Sequence, residues 1–287
     1  MKKVKVIVCS NAALDYLDYP KDIEIFRSKI HFGDEAYDDF TELSAADFYR
    51  RLAKNPKQIP STSYVSIGHI EEVFNRLYEE GYQEAFVITI AKPLSGLYEA
   101  VINIAKEVKL KVHTYDSKTL AYPEAHMALT AYKMFQIGHP VTDVIATLDY
   151  IRSHQKMFVA VDTLLYLVKN GRLSRLQGTL GTLLSIKPVL TLNPDGKVET
   201  LEKIRTTPKA LRRIFELYDE ETQDKDVITF INHAHNKQGV EVLTEMIKEK
   251  YPERQVIVSF LTPVVGAHAG PKAIALGYIE TMSKKTL

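Results

Sequence analysis

The chain has 287 residues, enough for two domains, with 45% hydrophobic and 25% charged side chains and no low-complexity stretch. Its 37 basic and 36 acidic residues leave a net charge of +1, which gives no global support to nucleic-acid or membrane-surface binding. The single cysteine, Cys9, excludes an internal disulfide and a multi-cysteine metal site.

The β-branched run Lys3–Cys9 reads as a buried strand, with Cys9 a structural thiol inside it. No long apolar segment follows Met1-Lys2-Lys3, so a cytoplasmic protein without signal peptide or stable membrane insertion is expected. Glu24–His31 alternates, and the Gly33-Asp34 turn predicts a small hairpin ending near Tyr37. Ser44 caps a helix carrying Ala45, Phe48 and Leu52 on one stripe. A helix from about Ile67 to Glu80 places Ile70, Val73, Phe74 and Leu77 on one face and stops at Gly81. Then come strand Ala85–Ile90, helix Gly96–Val108, strand Lys111–Tyr115 and helix Pro123–Gln136. This alternation predicts a doubly wound, mainly parallel sheet, whose ligands gather at the carboxyl ends of the strands.

A helix at about Thr142–His154 leads to strand Lys156–Val161, short helix Thr163–Lys169 with Gly171 as its stop, and a helix over Gln177–Ser185. Pro188–Asn193 and Lys197–Ile204 flank Pro194-Asp195-Gly196, a hairpin signature. Pro208 opens helix Ala210–Asp219 from its first turn. Strand Val227–Ile231, helix Gly239–Lys250, strand Val256–Leu261 and strand Ile274–Ile279 complete the chain. The expected architecture is therefore α/β: an N-terminal domain over 1–155 packed on a second domain over 156–287 with mixed and antiparallel strands. No Gly/Ser-rich linker separates them, so they should share a cleft.

Two hydroxyl-bearing turns stand out, Pro60-Ser61-Thr62-Ser63 and Pro93-Leu94-Ser95-Gly96. Each precedes a helix-like segment, so backbone N–H groups and hydroxyls would point together and hold an anion; the plain alternative is that Ser63 and Ser95 are helix caps. Near the other end, Gly266 and Gly270 bracket His268 in an expected turn, which places an imidazole for ligand contact. Lys169 to Arg213 holds ten basic and three acidic residues, a surface for an acidic protein or a phosphorylated ligand, or simply a solvated face. No phosphate loop, dinucleotide fingerprint, zincin motif or nucleophile elbow occurs. His233-Ala234-His235 lacks a third ligand at a readable spacing, so no metal or other cofactor is expected.

These motifs together resemble the DegV family of fatty-acid-binding proteins over nearly the full length. Pro60-Ser61-Thr62-Ser63 is similar to the family's Thr-Ser turn, and Leu94-Ser95-Gly96-Leu97-Tyr98 to its Leu-Ser-Gly-Thr-Tyr segment. Further similar blocks are Asp116-Ser117, Lys169-Asn170-Gly171-Arg172-Leu173-Ser174 behind Leu164–Leu167, and Lys187-Pro188-Val189-Leu190 with Asp195-Gly196. Arg205 fits an arginine after the hairpin, and Gly266-Ala267-His268-Ala269-Gly270-Pro271 fits the Gly-x-His-x-Gly-Pro block.

The resemblance implies a long-chain fatty acid in a tunnel between the domains. Thr62 and Ser95 would bond its carboxylate, aided by Ser63 and the Gly96 backbone, with His268 and Arg172 completing the polar network. It further implies that a separate fatty acid kinase phosphorylates the bound carboxylate, that the acyl phosphate stays on this subunit for an acyltransferase of phospholipid synthesis, and that Arg205 faces the kinase or the phosphate. The tunnel is expected to include Leu164, Leu165, Leu184 and Ile186. A sixteen-carbon tail buries about fifteen methylenes at roughly 0.8 kcal/mol each, on the order of 12 kcal/mol before binding costs. Tyr64-Val65 in place of Gln-Pro, Tyr122, and Lys272 after Gly270-Pro271 depart from the family pattern near the expected pocket. Two other classes compete: an acyl-transfer or hydrolytic enzyme using Ser95 or Thr62 with His268, and a binder of a small phosphorylated metabolite.

Overall fold

The computed structural model describes residues 3–173 and 186–281. Its first layer is a parallel sheet in the order β2-β1-β6-β7, built from β1 (Val4–Cys9), β2 (Glu24–Phe26), β6 (Glu84–Thr89) and β7 (Lys111–Asp116). Packing on both faces of β1 explains why every residue but Lys5, which pairs with Asp22, is apolar. Val6 and Val8 face α4 (Tyr122–Gln136) and α5 (Val141–Ser153), while Ile7 and Cys9 face α2 (Ile67–Glu79) and α3 (Leu97–Ile104). A strand covered on both faces leaves little room for polar residues. Cys9 lies in that core, where burial pushes its thiol pKa up.

The expected single strand over Glu24–His31 is split. Glu24–Phe26 joins the parallel sheet, and β3 (Lys29–Phe32) turns through Gly33-Asp34 into β4 (Glu35–Asp38). β3 also pairs with β5 (Ser61–Ser63), giving a small antiparallel sheet β4-β3-β5. Ser63 therefore caps no helix. α2 is capped by Ser66, whose Oγ accepts the His69 N–H at 3.3 Å. Beside this sheet α1 (Ala45–Lys54) buries Phe48, Tyr49 and Leu52, and its Ser44 cap accepts from Asp47 N–H at 3.2 Å.

From Gln155 onward the strands form one six-stranded mixed sheet, β10-β9-β8-β13-β11-β12. They are β8 (Gln155–Ala160), β9 (Lys187–Leu192), β10 (Val198–Ile204), β11 (Val227–His233), β12 (Val256–Phe260) and β13 (Ile274–Glu280). Only β11 and β12 pair in parallel. The β9–β10 hairpin turns where expected, with Asn193 Oδ1 accepting from the N–H groups of Asp195 and Lys197. α6 (Leu165–Lys169) ends at Gly171, whose φ of 71° continues the chain out of the helix. The expected helix over 177–185 lies outside the described residues.

Two long helices, α7 (Thr207–Thr222) and α8 (Lys237–Lys250), cover one face of this sheet through Ile214, Tyr218, Leu243 and Ile247. Phe158 and Ala160 of β8 point to that side, and Met157 and Val159 point to the other. There the sheet meets the N-terminal half: Phe230 packs on Tyr122 of α4 with ring centroids 5.3 Å apart. Tyr122 thus belongs to the joint core and does not line the cavity described below.

Candidate functional site

A cavity of about 340 Å³ opens on the face of the six-stranded sheet opposite α7 and α8. Strand alternation builds its wall. Met157, Val159 and Val161 project from one side of β8 and its continuation, beside Leu190 and Leu192 of β9 and Ala275 of β13. Four residues of β8 give this apolar wall a length of about 13 Å. Leu167, Leu261 and Val265 close it from the neighbouring helices and loop. Of the leucines and isoleucine expected here, Leu164 packs in the core instead with Ile186 against it, Leu165 stands apart from the cavity, and Leu184 lies outside the described residues.

The polar residues expected at the site gather in this one cavity. Thr62, Ser63, Ser95, Gly96, Arg172 and His268 all line it. Each arrives by a different route. Thr62 and Ser63 sit on the short strand β5, held by β3. Ser63 Oγ is 2.9 Å from His31 Nε2. Ser95 follows a 3-10 turn over Lys92–Leu94 at the carboxyl end of β6, and its Oγ accepts from Leu97 N–H at 3.3 Å, but Gly96, not Ser95, holds the cap position of α3. Asp116, at the end of β7, fixes that turn by accepting from Lys92 N–H at 3.2 Å and Lys118 N–H at 3.1 Å.

His268 sits in a helix, where a turn was expected. Thr262-Pro263 opens α9 (Pro263–Ala269), which ends at Gly270 with φ 79°. Only Gly270 uses the left-handed region. Gly266 serves close packing, because a Cβ there would fall 2.8 Å from Phe48 Cε1. The imidazole Nε2 lies 2.8 Å from Thr62 Oγ1. Burial, and next the charge of Arg172, hold the His268 pKa down to about 4, so the ring is neutral at neutral pH. With the proton on Nε2, the ring donates to Thr62 Oγ1, and the threonine hydroxyl proton is free to donate into the cavity. His268 Nδ1 is buried without a hydrogen-bond partner among the described residues.

Arg172 reaches the cavity while tied to backbone: Nη1 donates to Asn170 O at 2.6 Å and Nε to Leu94 O at 3.3 Å. Asn170 joins the two sides of the site. Its Nδ2 donates to Pro60 O at 3.2 Å and to Ala267 O at 3.0 Å, clamping the Thr62 strand to the His268 helix. Sequence reading assigned Asn170 no role, and an Asn beside a helix-ending Gly carries no signal of where its amide reaches. Asn11 and Ser28 line the cavity without having been expected there; Asn11 Nδ2 donates to Glu124, whose carboxyl burial keeps well above the ordinary range.

Tyr64 stands at the cavity beside Gly96, and a Cβ on that glycine would come 3.3 Å from its ring. Arg205 lies elsewhere, exposed just beyond β10. Lys272 does not approach His268 and lines a different cleft. The basic segment is not one surface either: Lys187 pairs with Asp162, and Arg213 with Glu202, Glu216 and Glu220. His233 is buried, its Nδ1 accepting from Asn236 N–H, and among the described residues no three His, Cys, Asp or Glu side chains are grouped to hold a metal. No helix among them is long and apolar enough to cross a membrane.

The family model for an uncharacterised protein of the DegV family matches residues 3–281. A DegV domain-containing protein of Halalkalibacterium halodurans is 35% identical over 252 residues, 87% of this chain and 88% of that relative. Among solved structures, a fatty acid binding DegV family protein from Streptococcus agalactiae aligns with a TM-score of 0.89 at 26% identity, covering 98% of this chain and 100% of that one. DegV, a fatty acid binding protein from Bacillus subtilis, aligns with a TM-score of 0.85 at 26% identity over the same shares.

Proposed function

This chain belongs to the DegV family, and from that premise we propose that it binds a long-chain fatty acid in the cavity above. The tail lies along the β8–β9–β13 wall. The carboxylate sits at Thr62 and Ser95, with Ser63, the Gly96 N–H, His268 and Arg172 completing its surroundings. One observation carries this reading: a long apolar wall runs to a polar end made mostly of uncharged donors. A tail of that kind supplies affinity through burial, so the polar end need only orient the head group. The division into 1–155 and 156–287 then puts Thr62 and Ser95 on one domain, and Arg172 and His268 on the other.

A bound carboxylate held by neutral hydroxyls keeps its nucleophilicity. We extend the proposal to its use: a separate fatty acid kinase phosphorylates the carboxylate in place, and the acyl phosphate is carried to an acyltransferase. Arg205, outside the cavity, is the candidate for contact with the kinase or the phosphate. The geometry favours fixed donors over a nucleophile of this chain's own. His268 pairs with Thr62, its Nδ1 meets no orienting carboxylate among the described residues, and Ser95 Oγ is engaged with the α3 amide. A small phosphorylated metabolite would leave the apolar wall unused.

Native mass spectrometry of the purified protein tests the binding step. A co-purifying mass of a long-chain fatty acid is expected. A clean ligand-free mass, together with failure to take up added fatty acid, overturns it. Phosphoryl transfer from a fatty acid kinase should be lost in the Thr62→Ala/Ser95→Ala double variant, and normal transfer would show the head group to be elsewhere.

A further inference from the structure

A second cleft, of about 760 Å³, lies on the other face of β8 from the cavity. Its floor is apolar and buried, formed by Ala160, Ala210 and Ile274, with Val242 and Met246 of α8 beside them. Its rim carries Lys209 and Arg212 from the start of α7, Lys237 at the start of α8, and Lys272 from the loop before β13. All four are exposed, and none forms an ion pair among the described residues. That sets them apart from Lys5, Arg27, Arg51, Arg76, Lys156 and Arg213, each held by a carboxylate. The one carboxylate in the cleft, Asp162, is already engaged by Lys187.

The placement of these cations runs against the fields of the helices they sit on. Helix N-termini favour acidic side chains, yet the first turns of α7 and α8 hold none, and Lys209 and Lys237 stand there instead. Four like charges around one hollow repel each other unless an anion joins them. The cleft also lies at the carboxyl ends of β8 and β11, the latter leading straight into α8, a place where α/β folds take up ligands.

We propose that this cleft binds a soluble phosphate ester, its phosphate between Lys209, Lys237, Lys272 and Arg212 and its organic part on the Val242–Met246 side. The floor lies below the charged rim, so a compact ester reaches it, whereas a flat lipid surface meets only the rim. The site is separate from the carboxylate end of the acyl cavity, since Thr62, Ser95 and His268 do not line it.

Isothermal titration of the full chain with inorganic phosphate and with glycerol 3-phosphate at low salt provides the test, with phosphatidic acid vesicles as a parallel arm. Saturable one-to-one binding of the ester is expected. Lys209→Ala/Lys237→Ala should weaken it roughly tenfold or more, as loss of charge-assisted hydrogen bonds does. Lys209→Arg/Lys237→Arg should retain it, which guards against a misfolded alanine variant. The control pair Lys106→Ala/Lys109→Ala should leave it unchanged, and so should Thr62→Ala, whatever that variant does to fatty acid binding. Absence of saturable binding, equal weakening in the control pair, or binding to vesicles alone overturns the proposal.

Discussion

Thr62→Val is the most informative single perturbation. It preserves side-chain shape and removes the oxygen 2.8 Å from His268 Nε2. Since the buried Nδ1 already has no partner among the described residues, both nitrogens of the half-buried imidazole lose their protein partners. Leaving a buried polar group unsatisfied costs about 1–3 kcal/mol. At about 2–4 °C per kcal/mol for a chain approaching this size, the Tm of delipidated protein should fall by roughly 2–12 °C. The same change removes a donor to the carboxylate. A hydrogen bond to a charged group contributes about 1.5–3 kcal/mol, so fatty acid Kd should rise about ten- to hundredfold. Calorimetric melting of the delipidated protein and displacement of a fluorescent fatty acid read the two effects separately. Thr62→Ser keeps the hydroxyl and should recover most of both. A valine variant with wild-type melting and wild-type affinity would refute the Thr62–His268 head-group site; a serine variant as impaired as valine would transfer the effect to methyl packing.

Asn170→Ala, which removes the clamp on Pro60 O and Ala267 O, should lower Tm at a cost of about 1–3 kcal/mol and weaken fatty acid binding although Asn170 does not line the cavity. Lowered melting with unchanged affinity would show that other contacts hold the two sides together. His268 gives a pH signature: its pKa is held to about 4 in the fold against an ordinary 6.5, so its contribution is present above about pH 6.5 and lost as pH falls toward 4. The loss amounts to at most about 3 kcal/mol. Denaturant unfolding of His268→Gln should show a shallower fall across that window, and parallel curves for variant and wild type would contradict a buried neutral imidazole. Ala275→Leu, opposite Val159 in the cavity wall, should shorten the acyl chains retained in native mass spectra. Retention of the same chains would place the tail away from β13.

Much of the fold is legible in the sequence because its elements are periodic. Apolar residues at successive positions of β1 signal a strand covered on both faces, and the Ile70, Val73, Phe74 and Leu77 stripe signals α2. Turn chemistry at Asp195-Gly196 and helix stops at Gly81 and Gly171 follow from the backbone freedom of glycine. The Thr62, Ser95, Arg172 and His268 motifs were legible as a set through family resemblance. Tertiary structure decided the rest. β5 is three polar residues at a sheet edge, with no pattern to mark it until β3 supplies its hydrogen-bond partners. Pro263–Ala269 is too short and too rich in small residues to announce a helix, and its packing on Phe48 fixes it. The meeting of Thr62 with His268, 206 residues away, depends on which faces of β3, α1 and α9 fit together. Local periodicity sets each element through its own backbone and neighbours. The site and the basic cleft arise only when distant faces pack, because side chains far apart in the chain share an environment only after their elements have been brought together.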